Sequence, residues 1–215
     1  LVSFVDLYPT FVDAAGLDIP EHLPGYSILP ALNANKTGRQ HLYSAFVAHT
    51  TGIHQYWPTR TVTDGRWKLI HHVFGNGNRS RYSEKNKAIF SLNKQIDSLA
   101  GNALARQLRT LSEVPPAFEL YDLKNDPDEH HNLIGTDKYS EAESKLRKRL
   151  VNWRRDTADP FLDEAFVKRF SKVYQKNYDL WKSLGGDKMK NRNALDFSEF
   201  IPVWNPTDYL GKRDR

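Results

Sequence analysis

The chain contains no cysteine. That absence excludes disulfides, thiolate metal sites and a cysteine nucleophile within these 215 residues. No apolar run approaches the ~18 residues that a membrane-spanning helix needs, and no secretory leader is visible. The chain opens on Leu1-Val-Ser-Phe-Val5 without a methionine, which reads as mid-domain sequence. Internal repeats are lacking. Motifs of nucleic-acid-binding domains are lacking too, so the modest net charge of +5 points away from nucleic acid as a partner.

What is present suffices for a core. Hydrophobic residues make up 39% of the chain, aromatic residues 12% and charged residues 27%, close to a globular average. The length fits one ordinary domain, or a small domain with a helical extension. The excess basic charge gathers in Lys145–Arg155 and Lys168–Arg192. Solvated helix faces account for it, and a sulfated polyanion is the sharper reading.

The pattern predicts an α+β fold: a small antiparallel sheet of about four strands with helices against one face. Residues 6–16 read as a helix with Asp6 as N-cap, Pro9 in the first turn and Gly16 at the C-terminal cap. Leu7, Phe11, Val12 and Ala15 share its apolar face. A short helical turn is expected near residues 29–32. Strands are expected over 41–49, 59–63, 67–73 and 118–123, with Asp64-Gly65 as a hairpin turn. A helical rhythm runs over 88–112 with a break at Gly101. Ser140-Glu-Ala-Glu143 reads as a capping box for a helix lined by Ala142, Leu146, Leu150 and Trp153. A second stripe, from Phe166 through Phe170 and Tyr174 to Trp181, predicts a further helix ending at Gly185-Gly186. The division expected is a first unit over 1–160 and a helical and irregular extension over 161–215.

The candidate site is Ala48-His-Thr-Thr-Gly-Ile-His-Gln-Tyr-Trp-Pro-Thr-Arg60, a loop between two strands. His49 and His54 suit sugar hydroxyls or charged oxygens. Tyr56 or Trp57 suits the face of a pyranose, although Trp57-Pro58 reads better as a loop anchor. Arg60 pairs bidentately either with a sulfate or carboxylate of a ligand, or with a buried carboxylate of the chain itself. Elsewhere, His71 and His72 are strand neighbours on opposite faces, so a shared metal is disfavoured. Asp126, Glu129 and Asn132 have oxygens suited to a hard cation, but turn hydrogen bonding explains them better.

Several of these segments together resemble a known family. Phe118-Glu-Leu-Tyr-Asp-Leu-Lys-Asn-Asp-Pro-Asp-Glu-His-His-Asn-Leu133 resembles a segment in the C-terminal subdomain of type I sulfatases. The opening Val2–Leu17 run with Leu23-Pro-Gly-Tyr-Ser-Ile-Leu-Pro-Ala-Leu32 resembles the sulfatase helix that follows the catalytic domain's last core strand, and the helix ending in Trp153-Arg-Arg-Asp-Thr-Ala-Asp-Pro160 resembles the family's closing helix. The His49-Thr-Thr-Gly-Ile53 loop, Tyr56-Trp-Pro-Thr-Arg-Thr-Val62 and Gly65-Arg-Trp-Lys-Leu-Ile70 resemble the heparan N-sulfatase (sulfamidase) branch.

The resemblance implies an alkaline-phosphatase-like sulfatase whose catalytic domain lies outside this chain. Such enzymes use a formylglycine nucleophile, formed from Cys or Ser in C/S-x-P/A-x-R, and a divalent metal, calcium, held by Asp and Asn. Neither that motif nor the paired aspartates of the metal site occurs here. The expectation is therefore no catalytic residue and no cofactor in this chain, with His49, His54, Tyr56 and Arg60 binding substrate. The N-terminal catalytic domain and a sulfated glycan, with heparan-type N-sulfoglucosamine favoured, are the implied partners, with neither nucleic acid nor membrane among them. Secretion or a periplasmic location is implied for the parent enzyme. A non-catalytic module for polyanionic glycan, or a structural docking fragment, is the alternative.

Overall fold

The structure, a computed structural model, describes residues 1–33, 38–48, 56–75 and 102–183. Four strands, β1 (Leu42–Ala48), β2 (Tyr56–Thr63), β3 (Trp67–His72) and β4 (Phe118–Asp122), form one antiparallel sheet in the order β1-β2-β3-β4. The β2–β3 connection follows from its residues. Asp64 Oδ1 accepts from the amides of Arg66 and Trp67 at 3.0 and 2.7 Å. Gly65 adopts φ +94°, where a side chain would be strained.

Register fixes which side chains share a face. Val62 lies opposite Tyr43 and Leu69, and Leu69 lies opposite Leu120. All three aliphatic side chains are fully buried. They meet Leu146 and Leu150 of the helix Ser140–Asp156, in a cluster that also takes in Trp153. Trp153 stacks on Tyr43 with ring centroids 5.1 Å apart. A second cluster joins Phe161 to Phe166, Phe170 and Tyr174 of the helix Glu164–Ser183, with Val47, Val73 and Phe74 packed against it. By strand parity Val47 and Val73 belong to the same sheet face as Val62, so both helices cover one face. The helices are numbered α1 (Leu7–Ala14), α2 (Leu29–Asn33), α3 (Ala103–Glu113), α4 (Ser140–Asp156) and α5 (Glu164–Ser183).

Two local expectations change. The capping box at Ser140 does not form, because a 3-10 turn over Asp137–Tyr139 runs straight into α4 and makes Tyr139 the cap. Glu143 instead accepts from the amide of Gly135 at 3.0 Å. Of the helical rhythm predicted over 88–112, α3 begins at Ala103, capped by Asn102 Oδ1 on the Ala105 amide. The part before residue 102 lies outside the described residues, as do residues 184–215 of the predicted extension.

The second change concerns α1. Its expected apolar face points outward: Phe11 is 66% exposed, and Leu7 and Ala15 are also exposed. Pro9 and Thr10 are the buried positions instead. The reason is a polar tie on the inner side. Asp6 accepts from the amides of Ser3 and Tyr26 at 2.8 and 3.0 Å and pairs with Arg39. Thr10 Oγ1 accepts from the Ile28 amide at 3.0 Å. Residues 23–28 therefore pack against the Pro9–Thr10 side, and Gly25 lies so close that a Cβ there would sit 1.9 Å from the Val5 carbonyl oxygen.

Candidate functional site

β2 carries the described part of the predicted site. His49 and His54 lie outside the described residues. Tyr56 opens β2 with its backbone opposite Ala48, next to an irregularity in register between Phe46 and Ala48. Trp57 is a buried anchor whose indole N–H donates to His72 Nδ1 at 2.8 Å.

Arg60 points to the face covered by α4 and is only 3% exposed. Its Nε and Nη2 donate to the two carboxylate oxygens of Asp159 at 2.9 and 2.8 Å. Its Nη1 donates to the carbonyl oxygens of Phe46 and Thr59, both at 3.0 Å. The guanidinium carbon also sits 5.0 Å from the centre of the Phe161 ring. Its fork is thus occupied by a buried carboxylate of the chain itself. Because Phe46 precedes the 48–60 segment's loop and Thr59 follows it, one side chain ties both ends of that loop to the α4–α5 junction.

Asp159 serves a second cation. Arg154 Nε donates to Asp159 Oδ2 at 2.7 Å, and Arg154 Nη1 lies 3.1 Å from His71 Nδ1. Arginine has only donors, so His71 Nδ1 accepts and its proton sits on Nε2. Burial, reinforced by the positive charge of Arg154, lowers the His71 pKa to about 4 and keeps the ring neutral. Burial alone would raise the Asp159 carboxyl, but the Arg60 and Arg154 guanidiniums reverse that and hold it below the usual range.

On the opposite sheet face a second polar chain runs through His72. With Trp57 donating to its Nδ1, His72 Nε2–H donates to Glu119 Oε1 at 2.7 Å. Tyr121 donates its hydroxyl to the other oxygen of Glu119. Burial first, then Glu119, pushes the Tyr121 phenol far up, so it remains a donor. His71 and His72 therefore work in separate networks on separate faces, as strand alternation requires.

The 118–133 segment is structural. Asp126 accepts from the amides of His130 and His131 at 3.0 and 2.8 Å, and Asn132 Oδ1 from those of Leu120 and Ile134 at 2.9 and 3.0 Å. Glu129, at φ +57°, pairs with Lys68 at 2.7 Å. Among the described residues no three His, Asp or Glu side chains gather as a metal site.

Sequence reasoning named the loop but missed Asp159, Arg154, His72 and Glu119. Asp159-Pro160 signalled only a helix stop, and the link from Asp159 to Arg60 spans 99 positions that no local pattern joins.

The family profile described as N-sulphoglucosamine sulphohydrolase, C-terminal, matches residues 1–114. The chain belongs to this family. As a sulfatase C-terminal domain it is 29% identical over 164 residues to an ulvan-active sulfatase of Formosa agariphila, covering 74% of this chain and 30% of that protein. It is 27% identical over 206 residues to arylsulfatase K of Xenopus laevis, covering 89% and 28%. A Bacteroides thetaiotaomicron delta 4,5-hexuronate-2-O-sulfatase is 26% identical over 157 residues, covering 73% and 24%. The domain thus spans less than a third of the length of these relatives. Its fold matches the solved structure of a protein in complex with its substrate, D-glucosamine-2-N,6-O-disulfate, with a TM-score of 0.50 and 22% identity over 74% of this chain and 25% of that one.

Proposed function

We propose that this domain is the C-terminal part of a sulfatase that hydrolyses sulfate esters or sulfamates on a sulfated glycan. The favoured unit is N-sulfoglucosamine of heparan type, a reading supported by the family profile that the chain matches. The domain would dock on a catalytic domain encoded elsewhere in the protein and complete its substrate cleft. The observation that carries this is the apolar surface of the first seventeen residues. Phe4 is 91% exposed, Phe11 66% and Leu17 65%, and Tyr8 and Val2 are exposed as well. An apolar surface of that kind marks a contact with another protein surface.

In this reading the nucleophile and the calcium ion belong to the catalytic domain. The cation would polarise the sulfate there, and no step of that chemistry falls to the residues described here. His49, His54 and Tyr56 would meet the glycan, while Arg60, through Phe46 and Thr59, holds the base of their loop. The parent enzyme would be secreted or periplasmic. Among the described residues no helix is long and apolar enough to cross a membrane.

The test compares the full-length protein with the 215-residue chain on N-sulfoglucosamine, glucosamine 6-sulfate and ulvan oligosaccharides. Sulfate release by the full-length protein alone, with a raised KM in His49→Ala or His54→Ala, is the expected result. Release by the short chain, or none by the full-length protein on any sulfated glycan, would overturn the proposal. Binding of heparin by the short chain with no activity in the whole protein would favour a glycan-binding module instead.

A further inference from the structure

A cavity of about 380 Å³ lies between α3 and the sheet face that carries His72. That volume falls within the range of small-molecule sites, about 300–1,000 Å³. Phe46 and Trp57 supply aromatic surface, Leu108 and Leu111 of α3 form an aliphatic wall, and Glu119 lies in the lining beside His72. Glu119 is only 7% exposed. His72 donates to one of its oxygens and Tyr121 to the other. A carboxylate accepts roughly four hydrogen bonds, so acceptor capacity remains beyond these two donors. Trp57 in turn fixes His72, which leaves the carboxylate rigidly oriented.

Among the described residues the lining contains no lysine or arginine, and Thr59 and Ser112 add hydroxyls. A sulfate or carboxylate placed here would face the Glu119 carboxylate with no lysine or arginine among the described lining residues to offset the repulsion. Hydroxyl donors meet the opposite situation. Aromatic walls suit the C–H face of a sugar ring, and a spare carboxylate acceptor suits its hydroxyls.

We propose that this cavity binds an uncharged pyranose, with its hydroxyls donating to Glu119 and its ring against Trp57 and Phe46. It rests on Trp57, Phe46 and Glu119 rather than on His49, His54 and Tyr56, which are proposed to meet sulfated sugar. Occupancy does not depend on sulfate hydrolysis, so the two proposals fail independently.

The experiment titrates methyl β-D-glucopyranoside into the full chain and follows the Trp57 indole N–H resonance. A saturable millimolar shift is expected, with the glycoside of N-sulfoglucosamine binding at least about tenfold more weakly. Ser112→Trp fills the cavity from the exposed side of α3 and should abolish the shift while leaving the far-ultraviolet circular dichroism unchanged. Glu119→Gln removes the charge at constant shape and should shrink the discrimination between the two sugars to about twofold. A purely structural Glu119 would leave that ratio untouched. Absence of a saturable shift, survival of the shift in Ser112→Trp, or tighter binding of the sulfated sugar would overturn the proposal.

Discussion

Arg60, Arg154, Asp159 and His71 bring two guanidinium charges against one carboxylate in the interior of the domain. Removing one partner from such a group leaves the others buried and less compensated, which is more costly than the pair itself is worth. Arg60→Met should therefore lower stability by about 3 kcal/mol. Urea denaturation followed by tryptophan fluorescence reads this directly, and a loss within error of zero would make the pair dispensable. His71 sets a pH dependence of its own. Its folded pKa is about 4 against an ordinary 6.5, so between those values the unfolded chain binds the extra proton. The stability it contributes is complete above pH 6.5 and falls as the pH drops to about 4, by about 3 kcal/mol in all. The guanidiniums whose positive charge opposes protonation of the ring are Arg154, Arg60 and Arg147. Asp159, with its pKa lowered, loses its contribution only below that window. Denaturation midpoints of wild type and His71→Gln measured across pH 4–7 should differ in slope by one proton, since Gln keeps an acceptor for Arg154 without titrating. Parallel slopes would remove His71 from the account.

The elements were legible where local rules decide them. Alternation of apolar residues marks the strands because successive side chains leave opposite faces, and Asp64-Gly65 marks the hairpin because it supplies both an acceptor and a positive φ. The Leu146–Leu150 and Phe166–Tyr174 stripes became the cores of α4 and α5 for the same reason. The capping box at Ser140 misled because the chain reaches α4 through a 3-10 turn, which moves the cap to Tyr139. In α1 the periodicity was real but its orientation was not readable, because the Asp6 and Thr10 hydrogen bonds turn the polar edge inward. Gly25 is the tight point of that arrangement. Gly25→Ala places a Cβ against the Val5 backbone oxygen, which cannot swing aside as a side chain would. The expected cost is about 2 kcal/mol. Hydrogen exchange at the Tyr26 and Ile28 amides, which bond to Asp6 and Thr10, should accelerate. Unchanged protection would show that the N-terminal segment absorbs the methyl group.

Taken whole, the domain leaves the outer surface of its first helix uncovered while burying its sheet on the α4–α5 side. Exposed phenylalanines at positions 4 and 11 should drive self-association of the isolated chain. Light scattering at increasing concentration is expected to show oligomers, and Phe4→Ser with Phe11→Ser should return a monomer. A wild-type monomer at high concentration would argue against an unfilled docking face. The amino-acid sequence by itself determined the α+β class, the four strands, the principal helices and the family, because each rests on short-range periodicity or on contiguous motifs. Tertiary structure alone decided that α1 presents its apolar face outward, and that Asp159 is the partner of Arg60. It also decided that Glu119 lies in the lining of a cavity beside His72. The physical reason is the same in each case. Which surface stays open, and which charge meets which, depends on how distant segments pack, and no spacing along the chain encodes a contact made 99 positions away.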